Sequence, residues 1–158
     1  MPQSLHDFET SATRPFQIDP KRAPTPIAYG ANMPETAKTK VLIADDERVI
    51  ADTLAAILNH GGFDARAAYS SREALEIATV FQPDLLISDV IMAGMNGIEA
   101  AIRIRAMLPE IRVFLLSGQT ATLELLQREN AEGFGFEILI KPVHPRELIS
   151  RLRECIAA

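Results

Sequence analysis

From Lys40 onward the chain repeats one pattern: a short unbroken apolar run, then a segment with helical spacing. "KVLIADDE" is followed by "VIADTLAAILNHGG", with Ile50, Leu54, Ile57 and Leu58 on one helical face and Gly61-Gly62 as the stop. "FDARAAY" is a weaker second strand. Ser70 and Glu73 then form a capping box that opens "SREALEIATVF", and Pro83 closes it. "DLLISD" is the third strand, and Asn96 with Glu99 opens "GIEAAIRIRAML" before Pro109. "IRVFLLSG" pairs with "TATLELLQRENA", and "GFEILIKP" with "PRELISRLRECIAA". In the last helix, Leu148, Ile149, Leu152, Cys155 and Ile156 are expected to face inward.

Strands that are apolar throughout, rather than alternating, are covered on both faces, as in a parallel sheet between helix layers. Right-handed crossovers leave few topologies for such strand–helix units. The predicted fold is α/β, a flavodoxin-like (βα)5 three-layer sandwich with parallel sheet order 2-1-3-4-5. This domain is expected over residues 39–158. Residues 1–38 differ: they hold six of the ten prolines and no apolar periodicity, and are expected to form a disordered or extended tail. Met33, just before the regular part, is an alternative start of translation. "PFQIDP" and "TPIAYG" are possible docking segments in the tail.

Charge and composition exclude several classes. The net charge of −5 falls on residues 39–158, and no basic stripe suits direct nucleic-acid binding. No apolar run reaches the roughly 20 residues of a membrane span, and the first residues lack a secretory signal pattern. A single cysteine, Cys155, rules out a disulfide framework and suits a reducing cytoplasm. His6, His60 and His144 have no metal-ligand spacing.

The chemistry gathers at the strand ends. Strand 1 ends in Asp45-Asp46, strand 3 in Asp89, strand 4 in Ser117, and strand 5 in Lys141 before Pro142. In the order 2-1-3-4-5 these four strands are neighbours, and the switch point between strands 1 and 3 is where such sheets bind ligands. Three carboxylates in one crevice cannot all stay charged without a cation. Oxygen-only donors favour a hard ion such as Mg2+. A carboxylate beside Mg2+ can act as a nucleophile toward phosphorus, giving an aspartyl phosphate. Lys141 and the cation would offset phosphoryl charge, and Ser117 could donate to a phosphoryl oxygen. Gly118 and the small residues after Asp89 leave room for that group.

"ADDE" (44–47), "SDVIMAGMNG" (88–97), "LSGQ" (116–119) and "IKPVHPREL" (140–148), in this order, resemble the receiver domain of two-component response regulators. The resemblance implies that Asp89 accepts a phosphoryl group from a histidine kinase or a histidine phosphotransfer protein. It implies that Asp46, Asp89 and the backbone carbonyl of Ile91 ligate Mg2+, with Asp45 acting mainly through metal-bound water. Lys141 would bridge the phosphoryl group and the acids. Ser117 would move toward the phosphoryl group and pull the following loop, shifting populations around helix 4, strand 5 and helix 5.

Two positions depart from the pattern. Ala93 stands where the family usually carries proline, so the loop is expected to be softer. Ile138 stands where the family often carries Tyr or Phe, so output through an aromatic switch is not expected; Phe136 is a weak substitute. Ile91 and Gln119 flank the expected path of attacking water, and the bulk of Ile91 suggests slow self-hydrolysis. The chain ends at Ala158, which suggests a stand-alone receiver whose output runs through a partner or a phosphorelay. The alternatives are a degenerate receiver that binds partners without phosphorylation, and a Mg2+-dependent phosphatase. The lack of an acid at Ile91 disfavours the phosphatase, which needs a general acid there.

Overall fold

The computed structural model describes residues 37–118 and 120–157. The expectations for the tail and for Gln119 lie outside these residues. Five strands, β1 (Lys40–Ala44), β2 (Asp64–Ala68), β3 (Leu85–Asp89), β4 (Arg112–Ser117) and β5 (Glu137–Ile140), form one sheet in the order β2-β1-β3-β4-β5. Every pairing is parallel. The helices are α1 (Arg48–His60), α2 (Ser71–Phe81), α3 (Gly97–Met107), α4 (Thr120–Arg128) and α5 (Pro145–Ala157). The three-layer sandwich and strand order expected from the sequence are what the chain forms.

The sheet separates two apolar clusters. One joins α2, α3 and α4 to one face through residues such as Ala74, Ala78, Ile98, Ile104 and Leu126. The other joins α1 and α5 to the opposite face through Ala51, Leu58, Leu148 and Leu152. Leu42 and Leu86 point to the first cluster, and Val41, Ile43 and Ile87 to the second. Both faces of β1 and β3 are therefore buried, which is why those strands are apolar without alternation.

Local chemistry sets the element ends. The Ser70 hydroxyl accepts from the Glu73 N–H at 3.0 Å, and Glu73 Oε2 accepts from the Tyr69 N–H at 3.2 Å. Asn96 Oδ1 accepts from the Glu99 N–H at 2.9 Å. Both expected caps form. The edge strand β2, poor in large apolar residues, is held by Asn59. Its side-chain amide accepts from the Ala65 N–H at 2.8 Å and donates to the Ala65 carbonyl at 3.1 Å.

Three expectations need correction. On α1 the residues closest to the sheet are Ala51, Ala55 and Leu58, while Ile50, Leu54 and Ile57 are only half-buried. The alanines let the helix backbone approach the sheet, which displaces the larger side chains toward its flanks. On α5, Ile156 does not face inward; it is 48% exposed. Helix α4 stops at Arg128, and a 3-10 turn over Ala131–Phe134 carries the chain to β5.

Candidate functional site

Strand register builds the site. Ala44 pairs with Ser88, so Asp45 emerges beside Asp89. Asp89 pairs with Leu116, and Ser117 with Ile140, so Ser117 and Lys141 follow at the same end of the sheet. The Lys141 N–H donates to the Ser117 carbonyl at 2.8 Å, which extends that ladder by one residue. Asp45, Asp89 and Ser117 are buried, and Asp46 is exposed.

The carboxylates of Asp45, Asp46 and Asp89 offer oxygens that all lie within 4.8 Å of one another. Lys141 Nζ sits 3.2 Å from Asp89 Oδ2 and 3.8 Å from Asp45 Oδ2. One ammonium thus serves two buried carboxylates. Burial pushes the Asp45 carboxyl above its ordinary range, and the neighbouring charges of Asp89 and Asp46 push the same way. The Glu47 N–H, donating to Asp45 Oδ1 at 2.9 Å, and the Lys141 ammonium oppose the shift without cancelling it. Asp45 Oδ2 is buried with no hydrogen-bond partner among the described residues.

That orphaned oxygen and the surplus of negative charge fit a divalent cation. The donor set is all oxygen, as a hard ion such as Mg2+ requires. Asp45, Asp46 and Asp89 are the side chains that would hold it.

The loop after Asp89 is tied to its surroundings at several points. Val90 N–H donates to the Leu116 carbonyl at 3.1 Å, and Gly97 N–H to the Val90 carbonyl at 2.9 Å. Ala93 N–H donates to Asp46 Oδ2 at 3.3 Å, a long bond that proline at this position could not make. Gly97 is required by closeness. A Cβ there would overlap the Asp89 carbonyl oxygen and come within 2.6 Å of Ser88 Oγ. At Gly118 a Cβ would meet Lys141 Cδ at 3.5 Å, an ordinary contact.

A cleft of about 720 Å³ opens beside the acids, with Asp46, Asp89, Gly118 and Lys141 on its floor and walls. Ile50, Leu54, Ile91, Pro142 and Val143 supply an apolar wall. Ile91, the residue whose carbonyl was expected as a ligand, lines this cleft and is 54% exposed.

The family model for the response regulator receiver domain matches residues 41–153. The chain belongs to that family. The receiver is 29% identical over 119 residues to the DNA-binding response regulator MtrA of Mycobacterium tuberculosis, covering 75% of this chain and 51% of that protein. It is 35% identical over 122 residues to the transcriptional regulatory protein YesN of Bacillus subtilis, covering 75% of this chain and 32% of that protein. The chain thus spans about half the length, or less, of these curated relatives. Among solved structures it is similar to the chemotaxis protein CheY4 of Vibrio cholerae, with TM-score 0.66 and 29% identity, over 75% of this chain and 98% of that one. A receiver domain protein from Clostridium thermocellum matches with TM-score 0.68 and 30% identity, over 75% of this chain and 94% of that one.

In this receiver Ile138 is half-buried and packs into the α2–α4 cluster. Phe136 is buried just before β5, at the opposite end of the sheet from the acids. It stacks on Phe134, with ring centroids 5.5 Å apart, beneath the Arg105 guanidinium at 5.1 Å. A ring held in that way cannot serve as the surface switch weighed for it. One residue of the site region escaped the sequence reading. Ser71 is buried and its hydroxyl bonds to the loop after Asp89. The doubled serine was the available signal, because a single hydroxyl suffices for the α2 cap.

Proposed function

We propose that this receiver accepts a phosphoryl group on Asp89, with Mg2+, from a sensor histidine kinase or a histidine phosphotransfer protein. The observation that carries the reading is the triad of carboxylates within 4.8 Å, with one buried oxygen of Asp45 lacking a hydrogen bond among the described residues and Lys141 Nζ 3.2 Å from Asp89. An Asp89 oxygen attacks phosphorus; an O–P bond forms as the donor's P–N bond breaks, and the electron pair leaves on the imidazole nitrogen. Lys141 offsets charge on the phosphoryl oxygens and Ser117 donates to one of them. The cation, when bound by Asp45, Asp46, Asp89 and the Ile91 carbonyl, supplies further charge compensation to those oxygens. The protein is a phosphoacceptor that assists its own modification and is not a multiple-turnover enzyme.

The apolar wall beside the acids, with Val49 79% exposed nearby, supports a protein donor over a soluble metabolite. No helix among the described residues is long and apolar enough to cross a membrane, which accords with a cytoplasmic receiver. Output runs through a partner protein or onward phosphoryl transfer, without direct nucleic-acid contact by this domain. Residues 1–38 are read as an extension and 39–158 as the receiver.

The test is intact mass after incubation with acetyl phosphate and Mg2+. One added phosphoryl group, absent in Asp89→Ala, supports the reading. No gain in the wild type would make the chain a phosphorylation-independent interaction module. Continuous release of phosphate from a phosphomonoester would make it a phosphatase. Ile91, at the mouth of the cleft, slows loss of the phosphoryl group by shielding it from water. Ile91→Asn is expected to shorten the phosphoryl lifetime several-fold; equal decay of label in the two proteins would remove that role.

A further inference from the structure

Ser70 and Ser71 stand side by side at the start of α2, yet only Ser70 caps the helix. Ser71 is 1% exposed. Its hydroxyl donates to the Met95 carbonyl oxygen at 2.6 Å and lies 4.0 Å from Met92 Sδ. The bond joins α2 to the loop between β3 and α3, 24 residues further along the chain. A buried hydroxyl left without a partner costs about 1–3 kcal/mol, so this bond is a strong constraint on where the loop can sit.

The loop needs one. Its ends are fixed by the backbone bonds of Val90 and Gly97, but its middle is Ala93-Gly94, both exposed, with Gly94 at φ +80°. Two residues anchor the stretch: Met92, whose side chain is buried in the apolar cluster beside α2, and Met95 through its backbone carbonyl. Ser71 touches both. Between them and Asp89 lies Ile91, and Ala93 reaches Asp46 only through its long 3.3 Å bond.

We propose that Ser71 is a positioning residue of the phosphoacceptor site, its hydroxyl clamping the β3–α3 loop so that the Ile91 carbonyl stays in register with Asp46 and Asp89. The proposal rests on the reading of Asp89 as a Mg2+-assisted acceptor, and adds how its loop is held without a proline. A ligand carbonyl on a loose loop must be ordered when the cation binds; a clamped one is ordered beforehand. Loss of an outer partner bonded directly to a metal ligand typically weakens metal binding about 10–100-fold, and Ser71, which acts one step further through the loop, falls at the bottom of that range.

The test is Mg2+ titration of the full chain, followed by amide chemical shifts, with thermal unfolding in metal-free buffer alongside. Ser71→Ala is expected to weaken Mg2+ binding about tenfold, the low end of that range. Ser71→Ala/Ala93→Pro is expected to recover most of the loss, because the pyrrolidine ring stiffens the loop by another route. A serine that only stabilises α2 would lower the unfolding midpoint, leave Mg2+ affinity unchanged and gain nothing from proline; that result overturns the proposal. If Ser71→Ala does not fold, Ala93→Pro alone decides. With the clamp in place its affinity does not rise, and the loss of the long Ala93–Asp46 bond lowers it by a few-fold at most, whereas tenfold tightening means the loop was never held and overturns the clamp. Failure of the wild type to bind Mg2+ removes the underlying reading and the clamp with it. Normal Mg2+ binding and phosphorylation in Ser71→Ala remove the clamp alone.

Discussion

The two ends of the sheet handle charge in opposite ways. At the N-terminal end of the strands, cations find partners. The Arg105 guanidinium lies over the Phe136 ring and donates to the Phe134 carbonyl at 3.1 Å, although its Nε has no hydrogen-bond partner among the described residues. Arg66 stacks over Phe81 at 4.1 Å, and the Lys40 ammonium donates to the Phe81 carbonyl at 3.4 Å. At the C-terminal end three carboxylates cluster, one lysine pairs with two of them, and Asp45 Oδ2 has no hydrogen bond among the described residues. One end consolidates the fold. The other is left short of positive charge, and that deficit is what the proposed cation and phosphoryl group would draw on.

If the ends are separable, damage at one should not be felt at the other. Phe136→Ala removes a ring that is 5% exposed and packed on Phe134 and Arg105. The expected cost is about 3–5 kcal/mol of stability, read from denaturant unfolding. Under conditions where the variant is folded, phosphoryl uptake and Mg2+ affinity should match wild type. A several-fold change in either would show that the sheet transmits strain between its ends, and the contrast would fail.

The same contrast governs what could be read before the fold was known. Strand order was legible because continuous apolar runs admit few arrangements, and the acids followed because each closes such a run. The caps at Ser70 and Asn96 were legible because they depend on residues three apart in sequence. What escaped was set by distance in space. Ala51 and Ala55 carry the inner face of α1 because small residues permit close packing, a fact that hydrophobic spacing hides behind Ile50 and Leu54. The Ala93–Asp46 bond and the Ser71–Met95 bond join segments 47 and 24 residues apart, and no local pattern announces either. The absent proline at Ala93 was visible as a gap. What compensates for it was not.

The smaller prediction tests the charge deficit itself. Asp45 has a folded-state pKa above its ordinary 3.8, first because it is buried and then because Asp89 and Asp46 repel its charge. In the pH range above 3.8 the folded chain therefore binds more protons at this position than the unfolded chain does. Stability then falls as pH rises through that range, so ionised Asp45 opposes folding at neutral pH. Asparagine keeps an oxygen to accept the Glu47 N–H and removes the charge. Asp45→Asn is expected to be more stable than wild type by about 1 kcal/mol at pH 7, a typical size for a single substitution. The gap should close as pH falls below 3.8, where Asp45 is neutral in both states. Mg2+ narrows the gap from the other side, because a ligand that binds only the folded state raises the stability of the wild type, and the variant, lacking one carboxylate, gains less. Denaturant midpoints of the two proteins across pH, with and without Mg2+, check all three signs. A wild type more stable than Asp45→Asn at pH 7 in metal-free buffer would mean that Lys141 compensates the acids fully, and that the cation is not needed to relieve them.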